Sequence, residues 1–103
     1  MNRIGKEDLE WVEKAPGARM AAFHGERMTV TSWEFQPQTD LPEHSHPHEQ
    51  IVMLREGRLT LTVDGESRTL EPGDYVVVPP DAPHSARAEV FTRVNDVFSP
   101  PRE

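Results

Sequence analysis

The chain has 103 residues, with eighteen Asp and Glu against eleven Lys and Arg, a formal net charge of −7. That length supplies one hydrophobic core. A field of this sign repels phosphate, which excludes nucleic acid and anionic membrane surfaces as partners. No cysteine is present, so disulfides and thiolate metal sites are excluded too. No apolar run approaches the roughly 20 residues of a membrane span. The charged stretch from Met1 to Glu10 lacks the apolar segment of a secretory signal. The expectation is a single cytoplasmic domain over residues 1–103.

In chain order, residues 6–14 read as a short helix or an edge strand. Beyond them, short apolar runs are broken by Pro, Gly and Asp every 8–12 residues or so, the spacing of a barrel or sandwich. Strands are expected at 18–24, 28–36, 50–56, 58–63 and 91–98. The clearest is Arg58 to Val63, where Leu59, Leu61 and Val63 alternate with Thr60 and Thr62. Asp64-Gly65 follows it, and both residues tolerate positive φ, which predicts a tight hairpin turn. Glu71-Pro72-Gly73-Asp74 reads as another turn. The apolar run Tyr75 to Val78 predicts a strand buried on both faces, and Pro79 to Pro83 predicts a loop. Many short strands without a helix layer imply an all-β, closed or double-sheet architecture.

Three of the five histidines fall within five residues, at His44, His46 and His48. Residues two apart on a strand share a face, so His44 and His46 can grip one ion from a single strand. Imidazole nitrogen is the commonest protein ligand for zinc, nickel, copper and iron. Pro47 cannot donate to a strand ladder, which moves His48 into a turn at the rim. Gln50 opens the next strand and can add its amide oxygen. His84 begins another strand behind the proline-rich loop. His24 stands alone and reads as a surface or satisfied core residue.

Near the end of the chain, one strand phase turns Val94, Asp96 and Phe98 inward; the other buries Arg93 and Asn95. The first is cheaper, and it sets a single carboxylate among apolar walls. Such burial costs several kcal/mol unless a metal, a proton-transfer role or a hydrogen-bonding partner compensates.

The histidines and the turns between them resemble the two-motif pattern of the cupin superfamily. The first motif, His-x-His-x-x-x-Glu with Gly seven positions on, is met by His44, His46, Gln50 and Gly57. The second, Gly-x5-Pro-x-Gly-x-x-His, is met by Gly73, Pro79, Asp81 and His84. Together the motifs span 44–57 and 73–84. The resemblance implies a cupin jelly-roll β-barrel, a metal bound by His44, His46, Gln50 and His84, and a homodimer formed through outer strands. Gln38 and Asp81 stand where the motifs have Gly, Ala88 where they have Asn, and Gln50 where they have Glu. A neutral glutamine leaves a divalent ion with its full charge, which favours Lewis-acid chemistry over work with O₂.

More narrowly, His44 to Gln50 followed by Asp96-Val97-Phe98-Ser99-Pro100-x-Arg102 is similar to the small KdgF-like pectin-degradation cupins. That resemblance implies opening and ketonisation of 4,5-unsaturated uronates from pectin or alginate breakdown. It also implies a divalent ion (Zn, Ni, Mn or Fe) and an anionic sugar as substrate. Asp96 would move the proton, Arg102 would clamp the carboxylate and Phe98 would hold the ring. The competing expectations are a metal-dependent oxygenase or isomerase of another small molecule, and a non-catalytic ligand-binding cupin.

Overall fold

Ten antiparallel strands and one short 3-10 turn, Lys6–Asp8, make up the regular structure of residues 1–102, the part of the chain the computed structural model describes. The strands are β1 (Val12–Ala15), β2 (Ala18–His24), β3 (Thr29–Phe35), β4 (Thr39–His44), β5 (Glu49–Glu56), β6 (Leu59–Val63), β7 (Glu66–Leu70), β8 (Tyr75–Val78), β9 (His84–Ala88) and β10 (Thr92–Ser99). They form a six-stranded sheet in the order β1-β2-β3-β10-β5-β8 and a four-stranded sheet in the order β4-β9-β6-β7. Facing one another, the two sheets make a jelly-roll barrel.

The pairing register sorts the inner face of the larger sheet into rows. Ala18, Phe35 and Thr92 lie in one row, and Met20, Trp33, Val94 and Leu54 in the next. Trp33 and Phe35, two apart on β3 and so on one face, stack with ring centroids 5.5 Å apart. Those rows, together with Leu59, Leu61 and Leu70 of the smaller sheet, form the core. Toward the other end polar residues enter the rows beside apolar ones. Ala22, Thr31, Asp96, Val52 and Val76 make one, and His24, Thr29, Phe98, Gln50 and Val78 make the last. The barrel is therefore apolar at one end and lined with hydrogen-bonding groups at the other.

Local chemistry explains the turns. Asp64 (φ 49°) and Gly65 (φ 80°) close the β6–β7 hairpin with two successive left-handed residues, as a two-residue primed turn requires. Gly57 has φ 85°, and a Cβ there would run into the Phe91 carbonyl and Thr92. Gln38 (φ 60°) and Asp81 (φ 66°), which replace the motif glycines, keep the left-handed backbone that glycine would adopt there.

Two expectations change. Residues 6–14 hold both a 3-10 turn and a strand rather than one or the other. Strand β8 is not buried on both faces: Tyr75 and Val77 are 69% and 57% exposed. It is the edge of the six-stranded sheet, and no second layer covers the outer face there. That outer face carries an apolar row of its own, from Phe23 through Val30, Val97 and Ile51 to Val77. No helix among the described residues is long and apolar enough to cross a membrane.

Candidate metal centre

His44, His46 and His84 converge at the polar end, with one ligand-capable atom from each lying within 4.8 Å of the others. Strands β4 and β9 bring His44 and His84 opposite each other as a register pair, with ring centroids 4.2 Å apart. His46 arrives differently from the single-strand expectation. β4 ends at His44, and Ser45 and His46 already lie in the link that leads through Pro47 to β5. A proline two residues ahead of the next strand breaks the ladder, so the link, and not strand parity, delivers the second histidine.

Ring tautomers follow from the backbone. His44 Nδ1 lies 2.9 Å from the Pro42 carbonyl, and His84 Nδ1 lies 2.8 Å from the Ala82 carbonyl. A carbonyl only accepts, so each Nδ1 carries the proton and donates it. Each Nε2 is left with its lone pair, and that of His84 is buried without a partner. Histidines that ligate a metal donate their other N–H to such a carbonyl. An orphaned lone pair buried beside two further imidazoles is what a divalent ion would satisfy.

Gln50, on β5, completes the arrangement. Its Oε1 lies 3.0 Å from His46 Nε2, and its Nε2 donates to Asp96 Oδ2 at 2.8 Å. An amide oxygen only accepts, so His46 Nε2 donates to it here, and both atoms would turn to a divalent ion once that proton leaves. The amide nitrogen is committed to Asp96, so the oxygen is the atom that turns toward the histidines.

Asp96 points inward from β10 with Val94 and Phe98, in the expected phase, and is 6% exposed. It does not lie across the barrel from the histidines. β5 and β10 are neighbours, and Gln50 links its carboxylate directly to His46. Burial pushes its pKa up to about 7, against smaller opposing effects from the Gln50 hydrogen bond and the Arg102 charge. Its Oδ1 is buried with no partner. Burial also lowers the pKa of His46 and of His84; the Arg102 charge adds to it in both, while hydrogen bonds oppose it.

Phe98 is fully buried and packs edge-on against His46 at 5.4 Å. The Arg102 guanidinium lies over the Phe98 ring, 5.0 Å from its centre. His48 lies half-buried in the bend after Pro47, outside the three-histidine cluster, its ring 5.4 Å from that of His46. A cavity of about 520 Å³ opens between β2 and β4, lined by Lys14, His24, Thr31, Glu43, His44 and Arg102 among others. A smaller space of about 40 Å³ inside the barrel touches His44, Gln50, His84, Asp96, Phe98 and Arg102. Lys14, Thr29 and Thr31 join the site without having been singled out in the sequence, and His24, read there as a surface or satisfied core residue, lines the cavity with its Nδ1 2.7 Å from Thr29 Oγ1. Period-2 alternation marks Thr29 and Thr31 as inward, but strand pairing is what sets them beside Phe98 and Asp96.

The fold and the three-histidine site define a class. The model of the Cupin domain family matches residues 31–91, and the chain belongs to that family. Over its whole length the chain is similar to the solved structure of KdgF from Halomonas sp., with 28% identity, a TM-score of 0.92 and 96% of that chain covered. It is also similar to an RmlC-like cupin from Shewanella frigidimarina, with 27% identity and a TM-score of 0.90 over 97% of this chain and 91% of that one. Among curated proteins, quercetin 2,3-dioxygenase of Bacillus subtilis (strain 168) is 46% identical over 46 residues, 45% of this chain. The match spans 13% of that dioxygenase's length.

Proposed function

We propose that the protein is a metal-dependent cupin that opens and ketonises 4,5-unsaturated uronates, with His44, His46, His84 and Gln50 holding one divalent ion. The observation that carries this reading is the linked series His46–Gln50–Asp96. It ties the three-histidine cluster to a buried carboxyl whose second oxygen is free. Full-length similarity to KdgF supports it, as does the match of Asp96, Phe98 and Arg102 to the family's last-strand residues.

The substrate is a cyclic enol ether bearing a carboxylate. Opening removes the proton of the anomeric hydroxyl, breaks the bond from the anomeric carbon to the ring oxygen, and leaves an aldehyde and an enol. Ketonisation then moves the enol proton to the neighbouring carbon, so no atom is gained or lost. A bound divalent ion would supply Lewis-acid stabilisation of negative charge on oxygen. Asp96 Oδ1 takes the hydroxyl proton and returns a proton to carbon. With a pKa pushed up to about 7, the group passes between its two forms near neutral pH. Arg102 receives the carboxylate through its planar guanidinium. Phe98 excludes water from beneath the ring.

The test is loss of the conjugated double-bond absorbance when metal-loaded protein meets lyase-generated unsaturated monouronate. Acceleration is expected, with Asp96→Asn lowering kcat by about 10²-fold or more. No acceleration by the metal-loaded protein overturns the reading. The similarity to quercetin 2,3-dioxygenase favours a second reading, an oxygenase; iron in the isolated protein with O₂ uptake during turnover would select it.

A further inference from the structure

Arg102 follows β10 by three residues, and a side chain there is useful only if its backbone is held. Thr29 holds it. Thr29 is 1% exposed, and its Oγ1 accepts the Arg102 backbone N–H at 2.8 Å. The same oxygen lies 2.7 Å from His24 Nδ1 and 3.4 Å from the Arg102 carbonyl. A hydroxyl has one proton to give. When His24 Nδ1 accepts, the hydroxyl donates to the ring; when that nitrogen is protonated, the hydroxyl is free to turn to the Arg102 carbonyl. In both arrangements the Arg102 N–H stays bound.

The three residues are connected by the register. His24, Thr29 and Phe98 share the last inward row, so the ring beneath the guanidinium and the hydroxyl that holds its backbone are direct neighbours. Arg102 thereby lines both the 520 Å³ cavity and the smaller space at Asp96.

We infer that Thr29 is a positioning residue: its hydroxyl, set by His24, anchors the backbone at Arg102 so that the guanidinium lies over Phe98 and faces an anionic ligand. The ligand side rests on the proposed uronate reading; the anchoring does not. Hydrogen exchange at the Arg102 amide in the metal-loaded protein tests the anchoring without substrate. Protection is expected in the wild type, lost in Thr29→Val and restored in Thr29→Ser; an unprotected amide in the wild type overturns the inference, whatever the activity. With unsaturated monouronate, Thr29→Val should raise KM about tenfold, as loss of one hydrogen bond predicts, and leave kcat within about twofold. In an Arg102→Ala background the same change should have no further effect on KM. Additive effects there, or a fall in kcat alone, would show that Thr29 does not act through Arg102.

Discussion

The Gln50 amide faces two ways at once, its oxygen 3.0 Å from His46 Nε2 and its nitrogen donating to Asp96 Oδ2 at 2.8 Å. A glutamate at this position would set two carboxylates against each other inside the barrel. One of them would then hold a proton near neutral pH. Glutamine avoids the clash, keeps an oxygen turned toward the histidines and gives Asp96 a donor. Gln50→Glu should therefore retain metal but move the pH–rate profile to higher pH, because the added negative charge raises the Asp96 pKa further. A profile identical to that of the wild type would remove Asp96 from the rate-limiting proton transfer.

Asp96 also sets a stability dependence. Its folded pKa of about 7 stands above the ordinary carboxylate value of 3.8. The unfolded chain therefore ionises first as pH rises. The Asp96 contribution to stability is fully present below pH 3.8 and is lost progressively as pH rises through about 7. In metal-free protein, Asp96→Asn should flatten this loss, as urea midpoints at pH 5 and pH 8 would show. A wild-type midpoint that rises between those pH values, with no change in the variant, would contradict it.

The histidines titrate with the opposite sign. Burial lowers the pKa of His46 and of His84, so each gives up its proton at lower pH than a free imidazole does, which favours ligation. Dialysed wild-type protein should retain a divalent ion at pH 6 and gain thermal stability from added zinc. His84→Ala should lose both properties. A variant with undiminished metal content by mass spectrometry would move the ion elsewhere.

Much of this was legible in the sequence. The spacing of His44, His46, Gly57, Gly73, Pro79 and His84 carried the barrel and the histidine cluster, because each turn needs a residue that tolerates its φ. The inward phase of Asp96 followed from the cost of burying Arg93 instead. Three features were not legible, and all depend on neighbours far along the chain. The link from Gln50 to Asp96 joins residues 46 apart. Thr29 meets Arg102 across 73 residues. The exposure of β8 depends on which strand ends a sheet, and a run of four apolar residues looks the same at an edge as at a centre.

The homodimer expected from the family resemblance can be tested at the outer apolar row. Ile51, Val77 and the adjoining Tyr75 are exposed on one sheet face, a patch that a second copy of the chain would cover. Val77→Lys combined with Tyr75→Lys should convert a dimer to a monomer in sedimentation or light scattering, with the fold intact by circular dichroism. A wild-type protein that is monomeric at high micromolar concentration would sink the expectation.

Gly57 offers a test of the fold alone. With φ at 85° and the Phe91 carbonyl in the way of a Cβ, Gly57→Ala combines a strained backbone with a collision. A loss of about 1–3 kcal/mol is expected from the backbone strain alone. Denaturant midpoints would measure it, and an unchanged midpoint would mean that the loop relaxes freely.

The division of the barrel's inner rows has an evolutionary consequence. Met20, Trp33, Val94 and Leu54 hold the sheets together, whereas His24, Thr29, Gln50, Thr31 and Asp96 occupy neighbouring rungs of the same strands and contribute little apolar burial. Substitution at the polar rungs therefore spares the rungs that keep the barrel closed. Such a scaffold can exchange one substrate for another by small steps, each leaving a folded protein on which selection can act.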